Sequence, residues 1–470
     1  MTPFDFDKLG EECGIFAIYG SNDAAVNTAL GLHALQHRGQ EAGGIVTMSG
    51  DSYAMHFADG LVSDNFNSGR VVKKLEGNMA IGHVRYSTAG KKTARNYQPI
   101  YAQLASGFFT LAHNGNLTNA TKLKKALVKN GAIFQSTMDT EVILHLVALS
   151  KKDGLINKIV DATSQVEGAF SLVMMHEGEI IAMRDPYGVR PLSLGRLGDS
   201  YVVASETCAF DIIGAKFERD IEHGEIVIIN KDGLKSIKPF AKKPSKLCIF
   251  EYVYFARPDS SIEGKNVYQM RKNIGIELAR EIKIDADVIV PIPDSGVPAA
   301  IGFAMESGIP FELGIIRNHY VGRTFIEPTD KIRHFGVKLK HNANLAVIKD
   351  KRVVLIDDSI VRGTTSKKII QMIRDAGAKE VIMLIASPPT ISPCFYGVDT
   401  PDKSGLIAAN YSVDEIAKII GVDRLAYISI DGLYRAIAQT ARDNNIPQYC
   451  DACFSDEYPI DLTDKKENLI

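Results

Sequence analysis

The chain has 470 residues, of which 45% are hydrophobic and 23% are charged, which is the composition of a globular protein large enough for more than one core. A formal net charge of −2 and the lack of a long basic run argue against nucleic acid or an anionic membrane as the main partner. Neither a secretory signal nor an apolar run of bilayer-spanning length is present, so we expect a cytoplasmic protein. In that reducing compartment the six cysteines are expected to be catalytic, metal-bound or core residues.

Cys13 opens CGIFAIYG, an alternating apolar segment that predicts a β-strand. The polar residues 1–12 before it are predicted to be a cleaved propeptide. Cleavage would leave the thiol beside its own α-amino group, whose pKa of about 8 lies near the thiol value of about 8.5, so the amine can accept the thiol proton. This is the logic of an N-terminal nucleophile (Ntn) hydrolase. The alternative interpretation is a buried structural cysteine.

The next motifs share an order and a spacing. After a helix that Asn22 or Asp23 can cap, they are QHRGQEAGGI (Gln36–Ile45), GHVRYSTAG (Gly82–Gly90), AHNGNLTN (Ala112–Asn119) and STMDTEV (Ser136–Val142). Together with Cys13 they resemble the glutaminase domain of Ntn amidotransferases.

This resemblance implies a role for each matching residue. Cys13 would be the nucleophile, while Asn114 and Gly115 would supply the side-chain and backbone donors of an oxyanion hole. Arg85 would bind the α-carboxylate of glutamine, and Asp139 would bind its α-ammonium group. Taken singly, Arg85 could equally form a surface ion pair, and Asn114 could form a turn in an Asn-Gly hairpin.

Further short strands follow, with RDPYGVRPL (Arg184–Leu192) as a polar turn between two of them. They predict an αββα sandwich of two antiparallel sheets with helices outside. Cys208 matches no motif and is interpreted as a core thiol. The stretch Ser236–Lys246 is rich in Lys, Pro and Ser, which indicates a boundary between an amidotransferase domain at 13–240 and a second domain at 241–470.

The second domain alternates helical and strand patterns, which predicts a parallel sheet with its sites at the carboxyl ends of the strands. Within it, VVLIDDSIVRGTTS (Val353–Ser366) reads as a strand, a polar loop and a helix. Backbone N–H groups at a helix N-terminus suit a phosphate, and carboxylates at a strand end suit ribose hydroxyls or Mg²⁺.

This stretch resembles the phosphoribosyl pyrophosphate (PRPP) loop of type I phosphoribosyltransferases. Its residue sequence DDSIVRGTT resembles that of the amidophosphoribosyltransferase family in particular. The PRPP-binding residues that the resemblance implies in this loop are Asp357, Asp358, Arg362, Gly363, Thr364, Thr365 and Ser366. IVPIPDSGVPAA similarly resembles the pyrophosphate loop of these enzymes, with Asp294, Ser295 and Gly296 as binding residues. Mg²⁺ is implied at Ser295, Asp357 and Asp358. Arg317–Arg333 resembles the lid over PRPP, with a plain surface loop as the alternative.

The remaining cysteines are Cys248, Cys394, Cys450 and Cys453. The CxxC pair they include can be redox-active, zinc-binding or incidental. The sequence around all four cysteines resembles that of the subclass of the same family that carries a [4Fe–4S] cluster and a cleaved propeptide. The resemblance therefore implies a structural [4Fe–4S] cluster, and a Cys₄ zinc site is the alternative.

Taken together, the resemblance implies a glutamine-dependent enzyme of purine synthesis. Ammonia released from glutamine would pass through a dry passage and attack C1 of PRPP, giving 5-phosphoribosylamine, glutamate and pyrophosphate. The family is homotetrameric and is inhibited by purine nucleotides. Other interpretations are an Ntn amidotransferase that makes glucosamine phosphate, which has no reason to carry the PRPP loop, and a PRPP-sensing repressor, which needs no N-terminal thiol.

Overall fold

The structure is a computed structural model that describes residues 13–50, 52–66, 69–86, 94–318, 341–438 and 440–469. The predicted propeptide lies outside the described residues, and so does the predicted lid beyond residue 318.

The N-terminal half is built mainly from strands. They are β1 (Gly14–Tyr19), β2 (Ala42–Ser49), β3 (Ser52–Asp59), β4 (Met79–Arg85), β5 (Ile100–Leu104), β6 (Gly107–Leu117), β7 (Gly168–His176), β8 (Glu179–Arg184), β9 (Ser193–Leu197), β10 (Ser200–Ala204), β11 (Lys216–Asp220), β12 (Ile226–Asn230) and β13 (Gly233–Ile237). The helices are α1 (Ala24–Ala34), α2 (Val62–Phe66), α3 (Gly69–Val72), α4 (Ala120–Lys129), α5 (Thr140–Leu149), α6 (Leu155–Thr163) and α7 (Cys208–Ile213), with 3₁₀ turns at Gln36–Arg38 and Ala94–Asn96.

Within the described residues these strands form two sheets, one in the order β11-β9-β10-β1-β4-β2-β3 and one in the order β13-β12-β8-β7-β6-β5. Every pairing in both sheets is antiparallel. Strand β1 shows why they stack. Its alternate residues Ile15 and Ala17 join the core between the sheets, whereas Phe16 and Ile18 join the core under α1. The predicted αββα sandwich is confirmed.

The C-terminal half alternates strands and helices. Its strands are β14 (Ser261–Ile262), β15 (Lys265–Asn266), β16 (Val288–Pro291), β17 (Ile315–Arg317), β18 (His341–Ala343), β19 (Arg352–Asp357), β20 (Glu380–Ile385) and β21 (Arg424–Tyr427). Its helices are α8 (Val267–Glu281), α9 (Val297–Ser307), α10 (Leu345–Ile348), α11 (Thr364–Asp375), α12 (Ile407–Asn410), α13 (Val413–Ile420), α14 (Ile430–Ala438), α15 (Ala452–Ser455) and α16 (Thr463–Lys466). A π-helical turn at Glu251–Phe255 and a 3₁₀ turn at Lys403–Gly405 complete the set.

Strands β16, β19, β20 and β21 pair in that order, and all three pairings are parallel, which confirms the predicted parallel sheet. Apolar residues alternate between its two faces along β19. Val353 and Leu355 enter one core cluster, while Val354 and Ile356 enter the other. Both faces are therefore covered, as expected for strands joined by helical crossovers.

One local prediction needs correction. Asp23 is the N-cap residue of α1, but its side chain makes no capping hydrogen bond. The Arg184–Leu192 segment joins β8 to β9 as the predicted polar turn, and its residues Arg184, Asp185 and Arg190 are buried. No helix of the described part of the chain is long and apolar enough to cross a membrane.

A buried charge cluster joins the two halves. Arg38 pairs with Glu206 of the N-terminal half and donates to Glu251 of the C-terminal half, with Nη2 at 2.5 Å from Oε2. Arg190 lies 3.5 Å from the same Glu251 carboxylate. Burial alone would raise the pKa of Glu206, but the charges of Arg38 and His37 outweigh it and hold that pKa well below its usual range. Glu206 is therefore an ionised partner for Arg38 inside the protein.

The end of the chain returns to the N-terminal half. The buried carboxylate of Asp464 accepts the backbone N–H groups of Thr121 at 2.7 Å and Lys122 at 2.9 Å, in the first turn of α4. The backbone N–H of Asp464 donates to the carbonyl of Thr118 at 2.9 Å. A residue more than three hundred positions away in sequence thus caps this helix.

Candidate active site

Cys13 lies immediately before β1, at one end of the first sheet. The side chain is 9% exposed, and its Sγ donates to the carbonyl oxygen of Tyr86 at 3.5 Å. The Ser205 hydroxyl accepts the backbone N–H of Ile15 at 3.0 Å and the amide Nδ2 of Asn114 at 3.4 Å. Ser205 therefore connects the start of β1 to the predicted oxyanion-hole residue, a role that no local sequence pattern indicated.

Asn114 and Gly115 lie next to each other on β6, opposite Ser171 and Phe170 of β7. The Asn114 side chain is fully buried, and its Oδ1 has no hydrogen-bond partner. Gly115 has a φ of +144°, and a side chain there would collide with the carbonyl oxygen of Ala169. Only glycine fits this backbone position, so the two adjacent residues can present an amide group and a main-chain N–H at one place.

Of the predicted glutamine-binding residues, Arg85 is buried and Asp139 is partly exposed, and they belong to different networks. Arg85 ends β4 with its Nη1 at 4.0 Å from the Glu41 carboxylate. Asp139 accepts the backbone N–H groups of Leu117 at 2.9 Å and Thr140 at 2.8 Å. Burial would raise the pKa of Asp139, but the charge and hydrogen bond of His113, together with those N–H groups, lower it. Asp139 is thus a persistent anion.

A cavity of about 400 Å³ opens beside Asp139. Asn116 and Thr137 line it from the N-terminal half, and Phe395 and Gly397 line it from the C-terminal half. An anion at the wall of a cavity shared by both halves can receive the ammonium group of a small amino acid.

The two phosphate-binding loops meet at one edge of the parallel sheet. The pyrophosphate loop follows β16 and the PRPP loop follows β19, and these strands are parallel neighbours. The backbone N–H of Ile292 donates to the carbonyl of Ile356 at 2.9 Å, while a side chain at Gly296 would collide with that same carbonyl. The close approach at Gly296 brings the loops together, as predicted for sites at the carboxyl ends of strands.

The carboxylates of the PRPP loop are buried. Asp357 accepts the backbone N–H of Asp358 at 2.9 Å, and Asp358 accepts the Ser359 hydroxyl at 2.6 Å through Oδ1. Its other oxygen, Oδ2, is buried and has no hydrogen-bond partner. Because a buried carboxylate oxygen without a donor is costly, the site fits a ribose hydroxyl or a cation at that atom.

The remaining loop residues surround the start of α11. Gly363 is its N-cap, Thr364 and Thr365 lie in its first turn, Ser366 is buried there, and Arg362 is exposed. Across the sheet edge, Asp294 pairs with Arg317, and the peptide bond between Pro293 and Asp294 is cis. Ser295 follows in the same pyrophosphate loop.

Asp399 is an exposed residue that the sequence analysis did not single out. Desolvation raises the pKa of Asp399, while the charge of Arg362 and a hydrogen bond from Tyr86 oppose that rise. Tyr86 is also the residue whose carbonyl accepts from Cys13. Asp399 thus shares a hydrogen-bond partner with the predicted nucleophile.

The predicted cluster ligands Cys248, Cys394, Cys450 and Cys453 line one small cavity of about 20 Å³. Burial raises the pKa of Cys450 to about 12 and raises that of Cys453 well above its ordinary value. In the described part of the chain no three His, Cys, Asp or Glu side chains converge as ligands of a single metal ion.

Comparison with known proteins covers both halves. Residues 83–211 match the glutamine amidotransferase domain family, and residues 264–387 match the phosphoribosyl transferase domain family. Amidophosphoribosyltransferase of Rhizobium etli is 55% identical over 98% of this chain and 95% of its own length. The Bacillus subtilis amidophosphoribosyltransferase is 49% identical over 97% of this chain and 95% of its own length.

A solved structure agrees with these relatives. Glutamine PRPP amidotransferase from B. subtilis, complexed with ADP and GMP, superposes with a TM-score of 0.91 and 48% identity, covering 96% of this chain and 98% of that one. Since both domains and nearly the full length are shared at about half identity, this chain belongs to the amidophosphoribosyltransferase family.

Proposed function

We propose that Cys13 is the nucleophile with which this enzyme releases ammonia from glutamine, and that Asn114 and Gly115 form its oxyanion hole. As a member of its family the chain uses glutamine and PRPP as substrates in purine biosynthesis. The observation that supports the assignment is the Ser205 hydroxyl, which accepts from both Ile15 at the start of β1 and Asn114 on β6. It holds the thiol-bearing end of one sheet against the predicted donors of the other.

In this proposal the Cys13 thiolate attacks the side-chain amide carbon of glutamine. The negative charge that develops on the amide oxygen is stabilised by the Asn114 amide and the Gly115 N–H. The amide nitrogen leaves as ammonia after it is protonated, and water then hydrolyses the thioester to give glutamate. Arg85 and the persistent anion Asp139 bind the two charged groups of the amino acid.

At the second site PRPP binds between the pyrophosphate loop (Asp294, Ser295 and Gly296) and the PRPP loop (Asp357, Asp358 and Arg362–Ser366). Asp357 and Asp358 hold the ribose, and the backbone at the start of α11 holds the 5′-phosphate. Mg²⁺ fits this donor set, with Ser295, Asp357 and the partnerless Oδ2 of Asp358 as its proposed contacts. When bound, the ion offsets the negative charge of the pyrophosphate leaving group.

We further propose a [4Fe–4S] cluster on Cys248, Cys394, Cys450 and Cys453. The cavity that the four thiols line together supports it. The cluster would tether three separate chain segments and has a structural role.

The remaining assignments follow from the family. We propose residues 1–12 as a cleaved propeptide, domains at 13–240 and 241–470, a cytoplasmic location and a homotetramer. The related B. subtilis structure contains ADP and GMP, which supports purine nucleotides as ligands whose phosphates occupy the PRPP loop here. Residues 317–333 are proposed as the lid over PRPP.

The deciding experiment combines intact-mass analysis with two activity assays. We expect the mature protein to lack residues 1–12. Cys13→Ala should lose glutamine-dependent turnover completely while keeping ammonium-dependent consumption of PRPP. Cys208→Ala is the matched control, because Cys208 is a second buried thiol with no proposed role, and it should keep both activities. Glutamine-dependent turnover by Cys13→Ala would refute the assignment.

A further inference from the structure

A turn of the phosphoribosyltransferase half, Cys394–Val398, lies across the oxyanion strand β6. The Asn116 amide Nδ2 donates to the carbonyl oxygen of Phe395 at 2.9 Å. Two residues further along the turn, Gly397 contacts the backbone of Gly115. The turn therefore meets β6 at two consecutive residues, one of which is a proposed oxyanion donor.

The contact between the two glycines is too close for a side chain unless the backbone shifts by a few tenths of an ångström. A Cβ placed on Gly397 would lie 3.1 Å from both the Cα and the carbonyl carbon of Gly115. Gly397 also has a φ of +115°, a conformation that residues with side chains rarely adopt. A Cβ placed on Gly115 would in turn lie 2.0 Å from the carbonyl oxygen of Ala169 on the neighbouring strand β7, so the Gly115 backbone is closely packed there as well.

The turn is itself anchored on buried groups. Arg190 Nε donates to the carbonyl of Tyr396 at 2.9 Å, and the Tyr396 hydroxyl donates to the carbonyl of Ile460 at 2.6 Å. The backbone N–H of Tyr396 donates to Cys394 Sγ at 3.3 Å. With Arg190 and Tyr396 both fully or nearly fully buried, the turn is a firm support for the strand that it touches.

We infer that Gly397 and Asn116 are positioning residues for glutamine hydrolysis, through which the phosphoribosyltransferase half fixes the direction of the Gly115 backbone. The inference rests on the proposed oxyanion role of Asn114 and Gly115. Oxyanion stabilisation depends on a donor held in place before the charge develops, so a displacement of a few tenths of an ångström weakens it. The glutaminase half alone lacks this support, because the turn belongs to the other half.

The test uses Gly397→Ala and Asn116→Leu, the second of which is close to isosteric and removes the donated hydrogen bond without adding a charge. We expect the kcat for glutamine hydrolysis to fall at least tenfold in each, as a fraction of the roughly 10²–10³-fold cost of losing a whole donor. The ammonium-dependent consumption of PRPP should stay within about twofold in both variants. Gly421→Ala is the matched control, since Gly421 also has a positive φ (+86°) but no atom within 4 Å of the added Cβ.

A second readout separates positioning from a general loss of structure. Alkylation of Cys13 by iodoacetamide, followed on the Cys13 peptide by mass spectrometry, forms no oxyanion and should proceed at the wild-type rate in both variants. Equal losses of alkylation and hydrolysis, or unchanged hydrolysis, would overturn the inference. If Gly397→Ala does not accumulate as folded protein, Asn116→Leu alone decides. The variant Asn114→Ala separates the proposed oxyanion hole from the proposed positioning role of Gly397 and Asn116. Unchanged glutamine hydrolysis in that variant would refute the oxyanion hole itself.

Discussion

Replacing Asp464 by alanine should release the end of the chain from α4. The carboxylate is 2% exposed and accepts two backbone N–H groups, those of Thr121 and Lys122. A hydrogen bond to a charged group contributes about 1.5–3 kcal/mol, so two of them contribute about 3–6 kcal/mol. Since water can reach the freed N–H groups once the segment detaches, we take the lower end, about 3 kcal/mol, as the expected loss.

A loss of about 3 kcal/mol corresponds to roughly a hundredfold increase in the population of the detached state. Amide hydrogen exchange measures this directly, and we expect the amides of Thr121, Lys122 and Asp464 to exchange about a hundredfold faster. Asp464→Asn keeps one acceptor oxygen and should give an intermediate increase of about tenfold. Amides at the centre of β6 should exchange at the wild-type rate.

Asp461→Ala is the control within the same segment. Its side chain is 69% exposed and pairs only at the surface with Lys466, and its backbone carbonyl still accepts the Thr118 hydroxyl in the variant. This variant should change exchange at α4 by less than about threefold. If Asp464→Ala and Asp461→Ala gave the same exchange rates, the capping of α4 by the chain terminus would be refuted.

Three further predictions concern the proposed sites. Asp358→Asn should lower ammonium-dependent consumption of PRPP by about 10–100-fold while glutamine hydrolysis stays unchanged, which paired assays on one preparation can measure; a loss of both would contradict it. Because the pKa of Asp139 is lowered, this group stays charged as the pH falls from 8 to 5, and the KM for glutamine should show no Asp139 titration in that window. The KM should rise only when the pH falls through the lowered pKa of Asp139. The variant Asp139→Asn should raise the KM at least about tenfold at every pH. Cys453→Ser should lower the iron and sulfide content of anaerobically purified protein to less than about half, with Cys208→Ser unchanged, and one zinc per chain in the wild type would refute the cluster.

Much of the architecture could be predicted because it depends on local patterns. The alternation along β1 predicted a strand, and the VVLIDD run followed by a Gly-Thr-Thr turn predicted the strand, loop and helix around Asp357. The carboxyl ends of parallel strands meet at one edge, so the neighbouring positions of the two phosphate loops also followed from the pattern.

The residues that connect these elements could not be predicted in the same way. Ser205, Asp399 and Asp464 act through partners that are distant in sequence, and no period or turn signal marks a residue whose partner lies in another element. Arg190 occurs in a Pro- and Gly-containing stretch that is typical of a turn, but its side chain is buried because it lies beside the buried carboxylate of Glu251. In each case tertiary context decided, because a polar side chain is buried only where a partner meets it.

The buried charge cluster of Arg38, Glu206, Glu251 and Arg190 restricts how this enzyme can move. Hinge bending between the halves would separate Glu251 from Arg38 and Arg190. Breaking a buried ion pair in this way costs about 3–5 kcal/mol. We therefore expect the two halves to keep one relative orientation during catalysis, while only surface segments rearrange. A chimaera that takes one half from a distant relative would have to keep the arginines of one half together with Glu251 of the other. Otherwise the interface between the halves would contain a buried charge without a partner.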